Sequence, residues 1–179
     1  MSGSALLDPA DLIDRPCMKL LKTIRFDASD ERVFDLAAAP DEWAVSGAFA
    51  FAGAAPNSLT GKSRQAFANG FLGLPSLGRS TFTTVADATA ADLGQIEHVL
   101  AGHFISACGA PDEAAARFAA AEETSFVCEL CRDVPINTVF TVRRTWDAQG
   151  QIKEEFRTIR LPTGEPLHAK IWTVVDDEE

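Results

Sequence analysis

The connection Cys108-Gly109-Ala110-Pro111 constrains this chain more than any other short stretch. Ahead of it Leu93, Ile96, Leu100, Phe104 and Ala107 recur at three- and four-residue steps, the spacing that lines one face of a helix. Gly109 then stands where a helix takes its C-terminal cap. Behind it, Pro111, Asp112 and Glu113 fit the first turn of a second helix, since proline is tolerated at the first helical position and acids favour the positive end of the dipole. That second helix runs to about Cys131 and stops before Pro135. A link this short forces the two helices into an antiparallel αα-hairpin.

Both flanks of the hairpin read as strands. "CMKLLKTIRF" (17–26) is apolar and alternating, and "DASDERVFDLAAAP" reads as a short helix capped by Ser29 or Asp30 and ended by Pro40. "EWAVSGAFAFAG" has strand-like content broken by Gly47 and Gly53. "GKSRQAFAN" and "RSTFTTVAD" are expected as strands on either side of an apolar connection, "GFLGLPSLG", making a three-stranded meander. Past Pro135 three further strands are expected, "NTVFTVRRTW", "QIKEEFRTIRL" and "LHAKIWTVV", separated by "DAQG" and "PTGEP". A three-residue loop over Ala148, Gln149 and Gly150, with Gly150 left-handed in a bulge, sets Trp146 opposite Ile152, Arg144 opposite Glu154, Arg143 opposite Glu155 and Val142 opposite Phe156. A two-residue loop would oppose Arg144 to Lys153 and Val142 to Glu155, worse for charge and for packing.

Strands, a helical hairpin and more strands imply an α+β domain: a mostly antiparallel sheet with the hairpin on one face. Residues 1–16 form a polar leader, 17–175 a single domain and 176–179, "DDEE", a solvated acidic tail. At 179 residues and 46% apolar content such a domain builds its own core without disulfides. The formal charge of −10 repels phosphate backbones and anionic lipid, so neither nucleic acid nor membrane is expected as a partner. No apolar run is long enough to span a membrane, and the acids near the start do not suit a signal peptide, so a cytoplasmic protein with Cys17, Cys108, Cys128 and Cys131 as reduced thiols is expected.

Few residues here carry chemistry. There is no tyrosine, and imidazole chemistry must run through His98, His103 or His168. "TGKS" (60–63) has the ending of a phosphate-binding loop, but Pro56 stands where that loop needs glycine and a strand is expected to follow, so it reads as a turn. Cys128 and Cys131 would supply half of a tetrahedral zinc site on one helix face. The hairpin places them near the start of the first helix, with His98 about one turn away as the sole ligand in reach; otherwise they are small packing groups. At a helix C-terminus the dipole raises their pKa, which disfavours redox work. His103 lies on the buried stripe and is a weak catalytic candidate, with Glu122 or Glu123 of the second helix as acid partner.

The connection around Phe71, Leu72, Leu74 and Leu77 puts apolar side chains among Gly and Pro, to be covered by the protein's own helices, a second copy or a partner. Arg79 at its exit could receive an anion, a surface ion pair being the commoner fate.

"KLLKTIRFD", "EWAVSGAFAF", "GRSTF" and "HFISACGAPDEAAA" together resemble a family of short bacterial proteins that carry a domain of unknown function, over Met18 to about Arg160. That resemblance implies one compact bacterial domain and no particular activity. The leading expectation is therefore a non-enzymatic α+β module that self-associates or holds a protein partner through Phe71, Leu72, Leu74 and Leu77 and exposed sheet edges, with no cofactor. The alternative is a small-molecule enzyme or metal protein using His103 or His98 with nearby acids or Cys128 and Cys131.

Overall fold

The computed structural model describes residues 18–159; the leader, Cys17, His168, the "LHAKIWTVV" run and the acidic tail lie outside the described residues. Among the described residues the chain forms β1 (Met18–Ile24), α1 (Ser29–Val33), β2 (Trp43–Val45), a 3₁₀ turn (Ala48–Phe51), α2 (Gly61–Asn69), β3 (Phe71–Leu74), β4 (Arg79–Ser80), β5 (Phe82–Ala88), α3 (Ala90–Ala107), α4 (Glu113–Cys131), β6 (Val139–Trp146) and β7 (Ile152–Ile159). The strands make one seven-stranded sheet in the order β4-β3-β2-β1-β5-β6-β7, with every strand pairing antiparallel. The α+β expectation holds.

The helical hairpin forms as its short link requires. Thr89 and Asp92 close a capping box on α3, and Gly109 is left-handed at φ +72° just beyond its end. The start of α4 falls slightly later than expected: Asp112, not Pro111, marks its boundary, accepting from the Ala115 amide at 2.8 Å as the N-cap. Ile96, Leu100 and Phe104 of α3 and Ala116, Ala120 and Val127 of α4 enter the same core, and the alanines let the two helices approach closely. Between β6 and β7 the bulged register is present: Trp146 pairs with Ile152, Arg144 with Glu154 and Val142 with Phe156, and Gly150 is left-handed at φ +75°.

Three local expectations fail. Residues 61–69 are helix, not strand: Lys62, Arg64, Gln65, Ala66 and Ala68 are good helix formers, and a single anchor, Phe67, is buried. Residues 71–74 are strand, not loop. Phe71, Leu72, Gly73 and Leu74 are all buried, the unalternating pattern of a strand covered on both faces. The glycine that suggested a turn serves a close approach instead, for a Cβ on Gly73 would stand 2.7 Å from that of Ala38. The first helix is only five residues, because Phe34 turns extended and buries itself while Asp30 is drawn inward to accept from the Thr81 hydroxyl at 2.6 Å.

The sheet is strongly curled. β3 and β7 stand five places apart, about 24 Å in a flat sheet, yet the rings of Phe71 and Phe156 are 6.2 Å apart. By register Leu21, Ala44, Phe71, Val85, Phe140, Val142, Arg144 and Phe156 all project from the same face. That face is the concave side of the curl.

Candidate functional site

The curl is tied together by Arg144. Its side chain is wholly buried, and its guanidinium donates to the Glu154 carboxylate at 2.7 Å and to the carbonyls of Phe67 and Gly70, each at 2.9 Å. It also donates to the carbonyl and, at 3.2 Å, to the hydroxyl of Ser46, which in turn donates to Glu154. One side chain thus joins β6, β7, the end of β2 and the end of α2.

Arg79, expected at the surface, is instead buried and donates to Gly70 at 3.2 Å and to Gly47 at 3.3 Å, with its guanidinium 4.9 Å from the centre of the Phe51 ring. Burial, with Arg144 nearby, lowers its pKa to about 9, which still leaves it protonated at neutral pH. The Gly70 carbonyl therefore accepts from both arginines, and the space above Gly47 is filled so closely that a Cβ there would meet Arg79 Nη1 at 2.7 Å.

This framework fixes a groove between α2 and β6. It encloses about 700 Å³ and is lined by Asn57, Arg64, Phe67, Asn69, Arg143 and Trp146 among others, with Arg144 forming part of its inner wall. Phe67 and Trp146 stack at 3.9 Å between ring centroids and nearly parallel, a rigid apolar floor. Arg64 and Arg143 are exposed, and neither is in an ion pair among the described residues. Asp147 at the mouth is the one acid of the lining, and its carboxylate accepts from the amides of Gln149 and Gln151, both at 2.9 Å.

The residues singled out from the sequence are not gathered here. His103 is half-buried beside the rings of Phe49, at 6.0 Å, and Phe104, at 6.5 Å. Of its expected acid partners, Glu122 is exposed, whereas Glu123 lies in the field of Glu154 and Arg144. Burial foremost, then Glu154, raises the Glu123 pKa to about 7, with Arg144 acting against them.

His98 is exposed and lines a separate depression between α3 and α4 with Glu97, Glu113 and Arg117. Cys131 is fully buried, and burial foremost pushes its thiol up to about 12; Cys128, half-buried, is raised by burial and then by Glu97 and Glu129. Thiols held protonated are poor metal ligands, and among the described residues no three His, Cys, Asp or Glu side chains are grouped to hold a metal.

The contact surface expected at Phe71, Leu72, Leu74 and Leu77 is corrected too. The first three are at most 4% exposed within the chain's own core, and Leu77 is half-buried against it. Phe71, Leu72 and Leu74 are covered by the protein itself and have no surface to offer a partner, and Leu77 keeps only part of its side chain exposed.

Sequence reasoning paired Arg144 with Glu154 but missed its burial. The signal was present: Phe140, Val142, Arg144 and Trp146 share one face of an alternating strand, so the arginine is placed on the apolar side. The groove gave no such signal, because its walls meet only once residues 61–69 fold as a helix and set Phe67 on Trp146.

No helix among the described residues is long and apolar enough to cross a membrane. No curated protein and no solved structure matches the chain. A family model does match, over residues 18–172, and the chain belongs to that family, DUF6505, a family of unknown function.

Proposed function

We propose that the domain is a non-enzymatic binding module and that the groove between α2 and β6 is its contact surface. The observation that carries this reading is the groove's construction: a cavity of about 700 Å³ with a stacked aromatic floor and one exposed arginine, Arg64, on its α2 side. That size and mixture suit a small ligand or a single protruding side chain.

Catalysis is disfavoured by what the lining lacks and by what it has committed. No histidine, cysteine or serine lines the groove, Arg144 is fully engaged, and Asp147 is held by its own turn. Phe67 and Trp146 rest on a frame pinned by two buried arginines, so the floor is preorganised and little ordering cost remains for binding.

The test is a fragment screen by heteronuclear NMR. Hits should move the Trp146 indole N–H and the Asn69 side-chain amide and leave the fragments chemically unchanged. Hits clustering instead around Gly94, His98 and Gly102, with the Trp146 signal still, would sink the assignment.

A further inference from the structure

We infer that two copies of this chain meet along the open edge of β7, antiparallel about a two-fold axis at Phe156, so that Glu155 of each faces the partner's Arg157. This surface is distinct from the groove between α2 and β6. Among the described residues β7 is the outermost strand of the sheet, and its eight residues pair with β6 alone. The Asp147 amide donates to the Gln151 carbonyl at 2.9 Å, and strand alternation then points the backbone groups of Lys153, Glu155, Arg157 and Ile159 at β6. Those of Ile152, Glu154, Phe156 and Thr158 point away from it, set to receive a further strand.

Edge strands that resist such pairing carry proline, a bulge or charge of one sign. β7 has no proline and no bulge in its register, and its one inward charge, Glu154, is bonded to Arg144 at 2.7 Å. On the outer face Lys153, Glu155 and Arg157 are exposed and alternate in sign. In a chain of formal charge −10 this stretch sets two cations against one exposed carboxylate, so two copies repel least here.

Given the direction of the free backbone groups, a two-fold axis that overlaps most of the strand falls at Glu154, Glu155 or Phe156. An axis at Glu155 sets that residue against itself and Lys153 against the partner's Arg157, like charge on like. An axis at Glu154 opposes the two Glu154 carboxylates and carries Ile159 onto the turn at Gln149. At Phe156 no like charges are opposed. Glu155 faces the partner's Arg157, Glu154 the partner's Thr158, and Lys153 lays its aliphatic stem over the partner's Ile159, a residue 47% exposed in the single chain. Glu155 already accepts from Arg157 of its own strand, with Nη2 at 2.9 Å and Nε at 3.1 Å, so the second guanidinium closes an alternating ring of four charges. Beside the axis Phe156 is half-buried, and Phe126, 42% exposed, has its ring 5.6 Å away, so the two-fold gathers four phenylalanines. The contact is self-complementary, as an isologous dimer requires.

Sedimentation of the full chain from micromolar to millimolar concentration, with amide exchange followed by NMR over the same range, tests the interface. A monomer–dimer equilibrium is expected, in which the amides of Ile152, Glu154, Phe156 and Thr158 are protected at high concentration and exchange on dilution. Those of Lys153, Glu155 and Arg157, bonded to β6, should stay protected throughout. Arg157→Glu should weaken association about hundredfold, because both two-fold-related ion pairs become repulsive, without moving the melting temperature of the monomer, since the side chain is exposed. Exchanging the charges within one chain, Glu155→Arg with Arg157→Glu, should restore association. A chain that stays monomeric overturns the inference: protected edge amides would then show that another part of the same chain covers β7, and rapidly exchanging ones that the edge is open. A dimer indifferent to Arg157→Glu, or not rescued by the exchange of charges, places the contact elsewhere and overturns it too.

Discussion

Replacing Arg144 with methionine tests whether this side chain holds the curl of the sheet. Methionine is similar in length and fills similar space, so what it removes is the set of donors. The carbonyls of Ser46 and Phe67 lose the guanidinium outright, whereas Gly70 keeps its bond from Arg79. A buried acceptor left without its donor costs about 1–3 kcal/mol, and breaking a buried ion pair from one side costs about 3–5 kcal/mol. These contributions overlap, and the Glu154 side chain is 19% exposed, so water can reach part of its orphaned charge. The expected loss is about 4 kcal/mol, a large share of a domain's usual 5–15 kcal/mol.

A hydrophobic replacement can be neutral when both members of a buried pair are exchanged. That escape is closed here, because most of the partners of Arg144 are backbone carbonyls and cannot be substituted. Urea unfolding followed by circular dichroism measures the loss directly. Glu154→Gln alone should cost about 2–3 kcal/mol, because the glutamine oxygen still accepts from Nε but the wholly buried guanidinium loses the carboxylate it is paired with. The double variant should be no less stable than Arg144→Met alone, giving a coupling of about 2 kcal/mol or more. A cost for Arg144→Met below about 1 kcal/mol, or strict additivity in the cycle, would refute the argument that the carbonyl network organises this end of the fold.

Leu74→Ala should cost about 2–4 kcal/mol in the same unfolding assay, and the cost should not vary with protein concentration; a shift only in oligomeric state would restore the contact-surface reading of that segment. Gly78→Ala should destabilise by about 2 kcal/mol, because its Cβ would lie 2.5 Å from the backbone carbon of Ala37, where no side chain can swing aside; a neutral result would show that the segment carrying Ala37 shifts freely. Alkylation at pH 8 followed by peptide mapping should label exposed Cys108 well before Cys131, whose thiol is buried, and chelator should leave the melting temperature unchanged; fast labelling of Cys131 or a chelator-dependent drop contradicts the packing role. Glu123 has a folded pKa of about 7 against an ordinary 4.5, so the folded state binds its proton more tightly and stability should fall as pH rises from about 4.5 through 7. Glu123→Gln should flatten that slope between pH 5 and 8, and an unaltered profile would show that the carboxyl is solvated.

The architecture was legible wherever local pattern and tertiary demand agreed. The hairpin of α3 and α4 follows from a link too short for any other path, and the β6–β7 register follows from matching charges and apolar residues across the turn. Both rest on contacts between residues near in sequence. The segment from Gly61 to Leu74 was misread because its chemistry is set by distant neighbours. Gly73 looks like a turn residue until Ala38 arrives 35 positions from it in sequence, and Phe71 looks uncovered until the sheet curls and brings Phe156 to it. Glycine and proline mark turns only where nothing across the fold claims their small volume.

The same long-range closure explains why the candidate site lay outside the histidines and cysteines that drew attention first. Those residue types advertise chemistry by identity alone, but His103 packs against phenylalanines and Cys131 is buried, so their identity says little once position is known. Arginine at strand or helix spacing advertises nothing, being the ordinary furniture of a surface. What distinguishes the groove is a relation: α2 is held against β6 by Phe67 on Trp146 and by Arg144 on two α2-end carbonyls, and Arg64 of α2 is thereby brought to a cavity whose other wall is β6. The buried arginine and the groove above it are therefore parts of one device. Loosening Arg144 should degrade the groove before it unfolds the domain, so Arg144→Lys, which keeps the charge but reaches fewer of the carbonyls, should shift and broaden the Trp146 indole N–H signal even at temperatures where the protein remains folded. An unmoved Trp146 signal in that variant would separate the groove from the frame beneath it.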